Sequence, residues 1–322
     1  MNLLNSMLKR RRVAFPCRVC AQDVQTGQEG IQCDGCETWA HINCLGMSKA
    51  HYETFARNEH FKFFCAICIK DAAGVYNFSA CLLRIFSGSQ NIVEMRKCAE
   101  SEHNLLKFYD ITLPPVVQVK ASDVRPHNAS MQLLRNHSPW LTSRYVPGHV
   151  EGDGNCLFRA VSLGMYGHER AHIQLRLLCA IEVLLHSDMY DVDSPYYYAP
   201  FQNDDRLVLL RYTDFVLQTV RLGCYSDTLT VLCISSVIQK PIQMRWPVEV
   251  KGGEPSPLTT LIHGRDVTTV NALNILWTVM LYEGDPPNIN HFAPLLDLPP
   301  AVSIIFSIIY YNYYIVFIIT TT

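Results

Sequence analysis

Apolar residues recur at helical spacing in the second half of the chain. Within residues 169–186 they fall at i, i+4, i+8 and i+11, which predicts an amphipathic or mostly buried helix, at Ile173, Leu177, Ile181 and Leu184. A second helical pattern covers residues 227–240 and ends before Pro241, and the apolar run 157–163 is also compatible with a helix. Upstream the periodicity is looser, with a helix start near Cys81 and a helix over residues 92–108.

Short apolar runs predict strands between and after these helices. Residues 116–119 and 242–248 form two such runs, and Pro247 interrupts the second. Residues 273–281 are rich in Leu, Ile, Trp and Val, which predicts a buried central strand. A turn-rich segment, 283–290, then leads to His291, at or next to a final strand.

Composition limits the class of protein. The 322 residues allow two domains, and the 49% hydrophobic content excludes wholesale disorder. A formal net charge of −2 gives no direct signal for nucleic acid or for an acidic membrane surface. The N-terminus is not a signal peptide, because its charge follows its apolar residues. The basic run 9–12 is either a nuclear localisation signal or a solvated tail.

Seven of the thirteen cysteines lie close together near the N-terminus, between Cys17 and Cys68. With one histidine they form four pairs with two-residue spacers, Cys17/Cys20, Cys33/Cys36, His41/Cys44 and Cys65/Cys68. Such spacers let both side chains of a pair hold one ion, so eight ligands predict two closed, structural zinc (Zn²⁺) sites. A segment with so few large aliphatic residues needs this metal in order to fold. The pattern indicates a reducing compartment and not a disulfide framework.

The order of four cysteines, one histidine and three cysteines, with Trp39 two residues before His41, resembles a PHD finger. A RING finger would place its histidine one ligand earlier. The resemblance implies that the first and third pairs share one zinc ion, and the second and fourth pairs the other. It also implies that a histone tail could add as a strand beside residues 29–32, with Trp39 as one wall of an aromatic cage. Residues 21–32 contain no second aromatic wall, which argues against trimethyl-lysine.

Residues 151–160, EGDGNCLFRA, combine a glycine-containing turn with a cysteine at the start of a helix-compatible run. The thiol of Cys156 would face unpaired N–H groups and the positive end of the helix dipole, and both favour the nucleophilic thiolate. The permissive residues before it could expose N–H groups to a developing oxyanion. The base that such a cysteine needs is offered far downstream by His291.

The DGNCLFRA run and the late Asn-His-Phe at 290–292 together resemble the OTU family of papain-like cysteine proteases, most of which cleave ubiquitin from substrates. Within that family, GHER at 167–170, PIQMRWP at 241–247 and HFAPL at 291–295 resemble the OTU-like domain of vertnin-like proteins. The resemblance covers roughly the last half of the chain. It implies an α+β fold, with helices packed on a short mixed sheet, beside the small two-zinc, cross-braced PHD finger.

The resemblance also implies the role of each site residue. Cys156 is the expected nucleophile, His291 the expected base, and the backbone N–H groups of residues 153–156 the expected oxyanion hole. Asp153 is counted with this catalytic site, where we expect it to shape the loop by capping rather than to act as a base. Arg159 is expected to pack or pair structurally.

This sequence departs from the OTU pattern after the histidine. Many OTU proteases place an Asp or Asn two residues after it to orient the ring, and here that residue is Ala293. Asn288 or Asn290 would have to substitute. Cys224 falls where many members carry a tryptophan near the floor of the active site.

The chain therefore divides into a basic tail (1–13), a PHD-type zinc finger (14–70), a linker with helical segments (71–120), an OTU-like domain (121–300) and an apolar tail (301–322). Residues 301–319 carry no charge and are long enough for a transmembrane helix, although no Lys or Arg flanks them. The tail is either a membrane anchor or translated non-coding sequence, since A/T-rich codons encode Ile, Phe, Tyr and Asn.

Three functions are compatible with these features. The first is a nuclear cysteine deubiquitinase that its zinc finger brings to chromatin and that cleaves ubiquitin conjugates. The second is a chromatin, transcription or transposon-associated binding protein with a catalytically degenerate OTU scaffold. The third is a tail-anchored membrane deubiquitinase. A side chain that orients His291 would favour the first over the second.

Overall fold

The structure, a computed structural model, describes residues 15–87, 91–195, 210–248, 256 and 258–299, and only the backbone of residues 305–311 and 314–320. The basic run 9–12 lies outside the described residues. The helices are α1 (Lys49–Ala56), α2 (Phe78–Phe86), α3 (Ile92–Phe108), α4 (Asn128–His137), α5 (Pro139–Thr142), α6 (Cys156–Tyr166), α7 (His172–Leu185), α8 (Ser187–Tyr190), α9 (Tyr212–Val220) and α10 (Thr228–Ile238). The strands are β1 (Gly30–Gln32), β2 (Trp39–His41), β3 (Tyr145–Pro147), β4 (Ile242–Arg245), β5 (Leu261–Ile262), β6 (Leu273–Thr278), β7 (His291–Asp297), β8 (Ile305–Tyr311) and β9 (Tyr314–Thr320).

The second half of the chain is built on a five-stranded mixed sheet. Its strand order is β3-β7-β6-β4-β5, in which β4 and β6 are parallel and the other neighbours are antiparallel. Helices α6 and α10 pack on this sheet, and α7 packs behind them against α2, α3 and α9. Because α7 has helices around it, it is buried on nearly all sides, which explains its high apolar content.

The predicted elements of this half are largely present. Helix α7 lies within the predicted 169–186, α10 lies within 227–240, and β6 occupies the centre of the sheet as expected for 273–281. Strand β4 is shorter than the predicted 242–248. The prediction of a strand over 116–119 was wrong. A backbone hydrogen bond from the Val117 N–H to the Met165 carbonyl holds this segment against α6, and the segment does not pair with a strand.

Helix α3 covers the predicted 92–108 and joins the two halves of the molecule instead of separating them. Its Met95 and Ala99 belong to the main core, whereas Leu105 packs in a second cluster with Phe55 and Phe63 of the zinc-finger segment. Just after the helix, the Tyr109 hydroxyl donates to the Phe64 carbonyl at 2.6 Å. The segment 71–120 is therefore a packed connection and not a free linker.

A buried ion pair fastens this connection. Glu102 of α3 is 2% exposed and accepts two hydrogen bonds from the Arg84 guanidinium of α2. The same guanidinium lies over the Phe64 ring, 4.4 Å from its centroid. A charge at such a buried position needs its partner, because an uncompensated charge there is costly.

The apolar tail forms strands where its length and apolarity would allow a transmembrane helix. Strands β8 and β9 pair antiparallel, with Tyr311 opposite Tyr314. Side chains branched at Cβ and aromatic side chains favour extended backbone, which accounts for the difference. Within the part of the chain that the structure describes, no helix is long and apolar enough to cross a membrane.

We expect Glu102→Ala to lower the free energy of unfolding by about 3–5 kcal/mol, because it leaves Arg84 buried without its partner. The matched control is Glu94→Ala, also on α3, whose ion pair with Lys97 is solvent-exposed and should change stability by less than about 1 kcal/mol. Urea unfolding of the full chain measures both. Equal losses in the two variants would contradict a buried, structural role for the Arg84–Glu102 pair.

Candidate functional site

The first metal cluster consists of Cys17, Cys20, His41 and Cys44, whose ligand atoms all lie within 4.8 Å of one another. His41 Nδ1 is 3.6 Å from the Cys20 sulfur and 3.8 Å from the Cys44 sulfur. Ligands around a tetrahedral zinc ion lie roughly 3.5–3.8 Å apart, given bonds of about 2.0 Å to nitrogen and about 2.3 Å to sulfur. The other ring nitrogen, Nε2, lies 3.2 Å from Gln28 Oε1, which directs Nδ1 toward the cluster.

The second cluster consists of Cys33, Cys36, Cys65 and Cys68, again within 4.8 Å of one another. The sulfurs of Cys36 and Cys65 are 3.9 Å apart, close to the separation that a tetrahedral Zn–S₄ site requires. The interleaved arrangement is therefore confirmed: the first and third ligand pairs form one cluster, and the second and fourth pairs form the other. Both donor sets fit zinc, and each ion would serve to hold the finger folded.

Neighbouring donors favour the thiolate form in the second cluster. The Thr38 hydroxyl lies 3.0 Å from the Cys36 sulfur, and this hydrogen bond lowers the pKa of Cys36 to about 6. The Arg18 guanidinium is 3.2 Å from the same sulfur and 3.1 Å from that of Cys65. Since zinc binds the thiolate and not the thiol, these contacts tune the cluster toward metal binding.

An aromatic pair lies beside the first cluster. Trp39 is half-buried, and its ring makes an edge-to-face contact with that of Phe15 at a centroid distance of 5.7 Å. Phe15 is 52% exposed, and its N–H donates to Asp23 at 2.7 Å. A parallel bridge between Cys17 and Trp39 brings the two rings together. Residues 21–32 contain no second aromatic residue, as the sequence showed. The second ring is that of Phe15, which lies upstream, two residues before Cys17.

Strand β1 has one free edge. Its residues 29, 31 and 33 face β2, as shown by bonds from Ile42 N–H to the Glu29 carbonyl and from Cys33 N–H to the Thr38 carbonyl. Because backbone groups alternate along a strand, those of Gly30 and Gln32 point to the other side. Within the described residues no strand pairs there, so this edge can accept an extended peptide.

Cys156 is the first residue of α6, as the sequence predicts, and is 3% exposed. The turn before it requires glycine at position 154. Gly154 has φ of +79°, and a Cβ there would lie 1.9 Å from the Gly223 carbonyl oxygen. The main chain before Cys156 is thus pressed directly against the main chain at Gly223.

Asp153 shapes this turn. Its carboxylate accepts hydrogen bonds from the N–H and side-chain amide of Asn155, both at 3.0 Å. It also accepts two from the Arg159 guanidinium, at 3.1 and 2.7 Å, and these hold the pKa of Asp153 well below its usual range. Arg159 in turn bonds Glu169 at 3.2 Å. A carboxylate so engaged is structural, and it is not poised to accept a proton.

The Cys156 thiol and His291 lie on adjacent elements. Helix α6 packs on β7, which begins at His291 and pairs that residue with Thr278. The backbone groups of Phe292 and Leu157 act to lower the pKa of the Cys156 thiol. Burial nevertheless dominates and raises the pKa of the Cys156 thiol above its ordinary 9.0.

His291 is almost fully buried, and one of its two ring nitrogens is unpaired among the described residues. It is 1% exposed, and its Nε2 has no hydrogen-bond partner among the described residues. Burial, reinforced by the nearby imidazoles of His127 and His149, lowers its pKa to about 4. The His127 ring lies 5.4 Å from that of His291, and its own Nδ1 pairs with Ser130 at 2.6 Å.

None of the residues expected to orient His291 does so. Ala293 contributes only a buried methyl group. Asn290 uses its side-chain oxygen to accept the Met280 N–H at 3.2 Å, and Asn288 is exposed. Cys224 is half-buried, and its carbonyl accepts from Arg176 at 2.7 Å.

Proton transfer within this pair is uphill. Burial raises the pKa of the Cys156 thiol and lowers that of His291 to about 4, and both shifts oppose transfer of the thiol proton to the imidazole. Burial therefore favours the neutral forms of both the thiol and the imidazole.

We expect Cys20→Ser and Cys36→Ser each to reduce bound zinc from two ions per chain to about one, because each removes a ligand from a different cluster. Only Cys36→Ser should also lower the melting temperature of the OTU-like half, since its cluster packs against Leu105 of α3. Elemental analysis and thermal unfolding of the full chain measure both effects. Equal destabilisation of that half by the two variants would contradict this coupling.

Comparisons with known proteins follow the same division of the chain. Residues 14–72 match the family described as the Pygopus PHD-type zinc finger, and residues 147–212, which include Cys156, match the OTU domain of vertnin. No curated protein sequence matches the chain.

Similar solved structures include an OTUD1 OTU domain, which is 18% identical in sequence and has a TM-score of 0.35. The match covers 53% of this chain and 97% of the OTUD1 chain. The viral OTU domain protease from Dera Ghazi Khan virus has 15% identity, coverages of 49% and 85%, and a TM-score of 0.34. An OTU domain in complex with ubiquitin has 16% identity, coverages of 47% and 69%, and a TM-score of 0.30. The two family models thus identify a PHD-type zinc finger at residues 14–72 and an OTU domain at residues 147–212.

Proposed function

We propose that this chain is a nuclear binding protein, which engages a histone tail through its zinc finger and uses its OTU domain as a scaffold with a catalytically silent Cys156–His291 pair. The observation that carries the second part is the buried Nε2 of His291, which has no hydrogen-bond partner among the described residues. A base without an orienting partner samples unproductive tautomers and rotamers. The uphill proton transfer from Cys156 supports the same conclusion.

The free edge of β1 and the Phe15–Trp39 pair support peptide binding. An extended tail could pair with Gly30 and Gln32 through main-chain hydrogen bonds, while a lysine side chain approaches the exposed ring of Phe15. Two aromatic rings at 5.7 Å offer a cation–π surface for an ammonium group. We therefore include methylated lysine among the side chains to test.

A second candidate function, a cysteine isopeptidase acting on ubiquitin conjugates, is favoured by the placement of Cys156. Cys156 is the first residue of α6, which packs on β7, the strand that begins at His291. Binding of a substrate that reorients His291 would be needed to activate this pair.

We expect Trp39→Ala to weaken binding of a histone H3 N-terminal peptide by about tenfold, the factor typical of a lost cation–π contact. Phe15→Ala should weaken the trimethyl-lysine peptide more than the unmodified peptide. Trp140→Ala, which removes an exposed tryptophan of the OTU domain, is the matched control and should leave the affinity unchanged. Calorimetry with zinc-loaded full chain measures all three, and absence of binding by the wild type would contradict the proposal.

A ubiquitin probe with a C-terminal electrophile separates the scaffold from the enzyme. We expect no covalent labelling of the folded wild-type chain, because its thiol is neutral and His291 is not oriented. Ala293→Asn should introduce labelling, since residues two apart on a strand share a face and the new amide could hold the His291 ring. Labelling of the wild type that disappears in Cys156→Ala would replace the scaffold proposal with the isopeptidase.

A further inference from the structure

The loop between α9 and α10, residues 221–225, is fixed against the turn that precedes Cys156. The Gly223 N–H donates to the Asn155 side-chain oxygen at 3.3 Å. The absent Cβ of Gly154 leaves room for the Gly223 carbonyl, which lies 1.9 Å from where that atom would be. The two loops therefore approach each other along their main chains.

A buried arginine ties the two loops together. Arg176 of α7 is 1% exposed, and its Nη2 donates to the carbonyls of Gly154, at 3.1 Å, and Cys224, at 2.7 Å. Its Nη1 donates to three carbonyls at the end of α9 and the start of the loop, those of Gln218, Thr219 and Arg221. The guanidinium also lies 4.4 Å from the Phe158 ring centroid. The planar guanidinium of Arg176 thus binds both loops and the C-terminal end of α9, where the helix dipole favours a cation.

Tyr225 packs the end of the loop against Phe292 of β7. Its carbonyl accepts the Gln218 side-chain amide at 2.6 Å, and its ring stacks on that of Phe292 at 5.5 Å. Phe292 and Cys156 belong to one core cluster, where α6 packs on β7, and burial together with the nearby thiol raises the pKa of Tyr225. Tyr225 is 40% exposed while Cys156 is 3% exposed, so solvent reaches the ring and not the thiol.

We propose that the 221–225 loop is a lid that closes over Cys156, with Tyr225 as its cover and Arg176 as the positioning residue that keeps it shut. The lid proposal rests on the proposed function, which identifies the Cys156–His291 site, and it adds the loop that closes this site. Opening the lid requires the Tyr225 ring to leave Phe292 and the carbonyl of Cys224 to leave Arg176. A partner that binds the loop would expose the thiol.

Alkylation by iodoacetamide tests the lid without any assumption about catalysis. The Cys156 sulfur displaces iodide from the reagent, and its proton passes to the buffer, so the rate reports access to the thiol. We expect Tyr225→Ala in the zinc-loaded full chain to speed alkylation of Cys156 about three- to tenfold, the factor that matches the loss of one aromatic pair. Mass spectrometry of the peptide that contains Cys156 follows the rate.

Three comparisons make the outcome specific. Tyr225→Phe keeps the ring and should react like the wild type, and Leu222→Ala, on the same loop, should also do so. Arg176→Lys keeps the charge but loses the fork, and should speed alkylation in the same direction as Tyr225→Ala. The buried thiols of Cys179 and Cys233 should stay protected throughout, because they report global unfolding.

An unchanged Cys156 rate in Tyr225→Ala, or an equal rise in Leu222→Ala, would overturn the lid. A rise in Cys179 and Cys233 reactivity that parallels that of Cys156 would also overturn it, because the variants would then act by unfolding. Labelling of the wild type by the ubiquitin probe would instead overturn the scaffold proposal. The two failures are therefore distinguishable.

Discussion

The constraint on which the rest of the structure depends is the arrangement of eight side chains in two clusters of four, each of which would hold one zinc ion tetrahedrally. The zinc-finger segment buries its apolar side chains in two small clusters, so the geometry of the bound ligands would set much of its fold. The second cluster extends this order outward, because Cys33 and Cys65 pack in the same group as Leu105 of α3. Since α3 also packs on α7, the metal-dependent part and the OTU domain share one helix. The two parts of the chain are thus joined by packing on α3.

Burial has opposite consequences for stability and for chemistry in the OTU domain. The same close packing of α6 on β7 raises the pKa of the Cys156 thiol and lowers that of His291. Both shifts follow from the cost of charge in an apolar setting, and both oppose an ion pair. A domain can therefore keep the placement of a nucleophile and a base while it lacks their activation. This separation of geometry from electrostatics is what makes a scaffold role physically reasonable.

Main-chain contacts govern the surroundings of Cys156. Arg176 binds five carbonyl groups and no carboxylate among the described residues, so it stabilises loop conformations and not another charge. These hydrogen bonds depend on where the backbone lies. The close main-chain contact between Gly154 and Gly223 depends on it as well. The site is therefore held by parts of the chain whose side chains carry little chemical signal. Its accessibility becomes a property of the loop at 221–225 and not of the cysteine alone.

The sequence by itself determined the zinc ligands, the start of α6 at Cys156 and the long helices, because spacing and periodicity are local properties of the chain. It also placed Cys156 and His291 in one site through a motif resemblance. It did not predict that Phe15 meets Trp39, that α3 joins the two halves, or that Arg176 reaches Gly154. These contacts join residues far apart in the chain and depend on how elements pack. Whether His291 has a partner was likewise decided only by the tertiary structure, since a hydrogen bond requires distance and direction that no local pattern encodes.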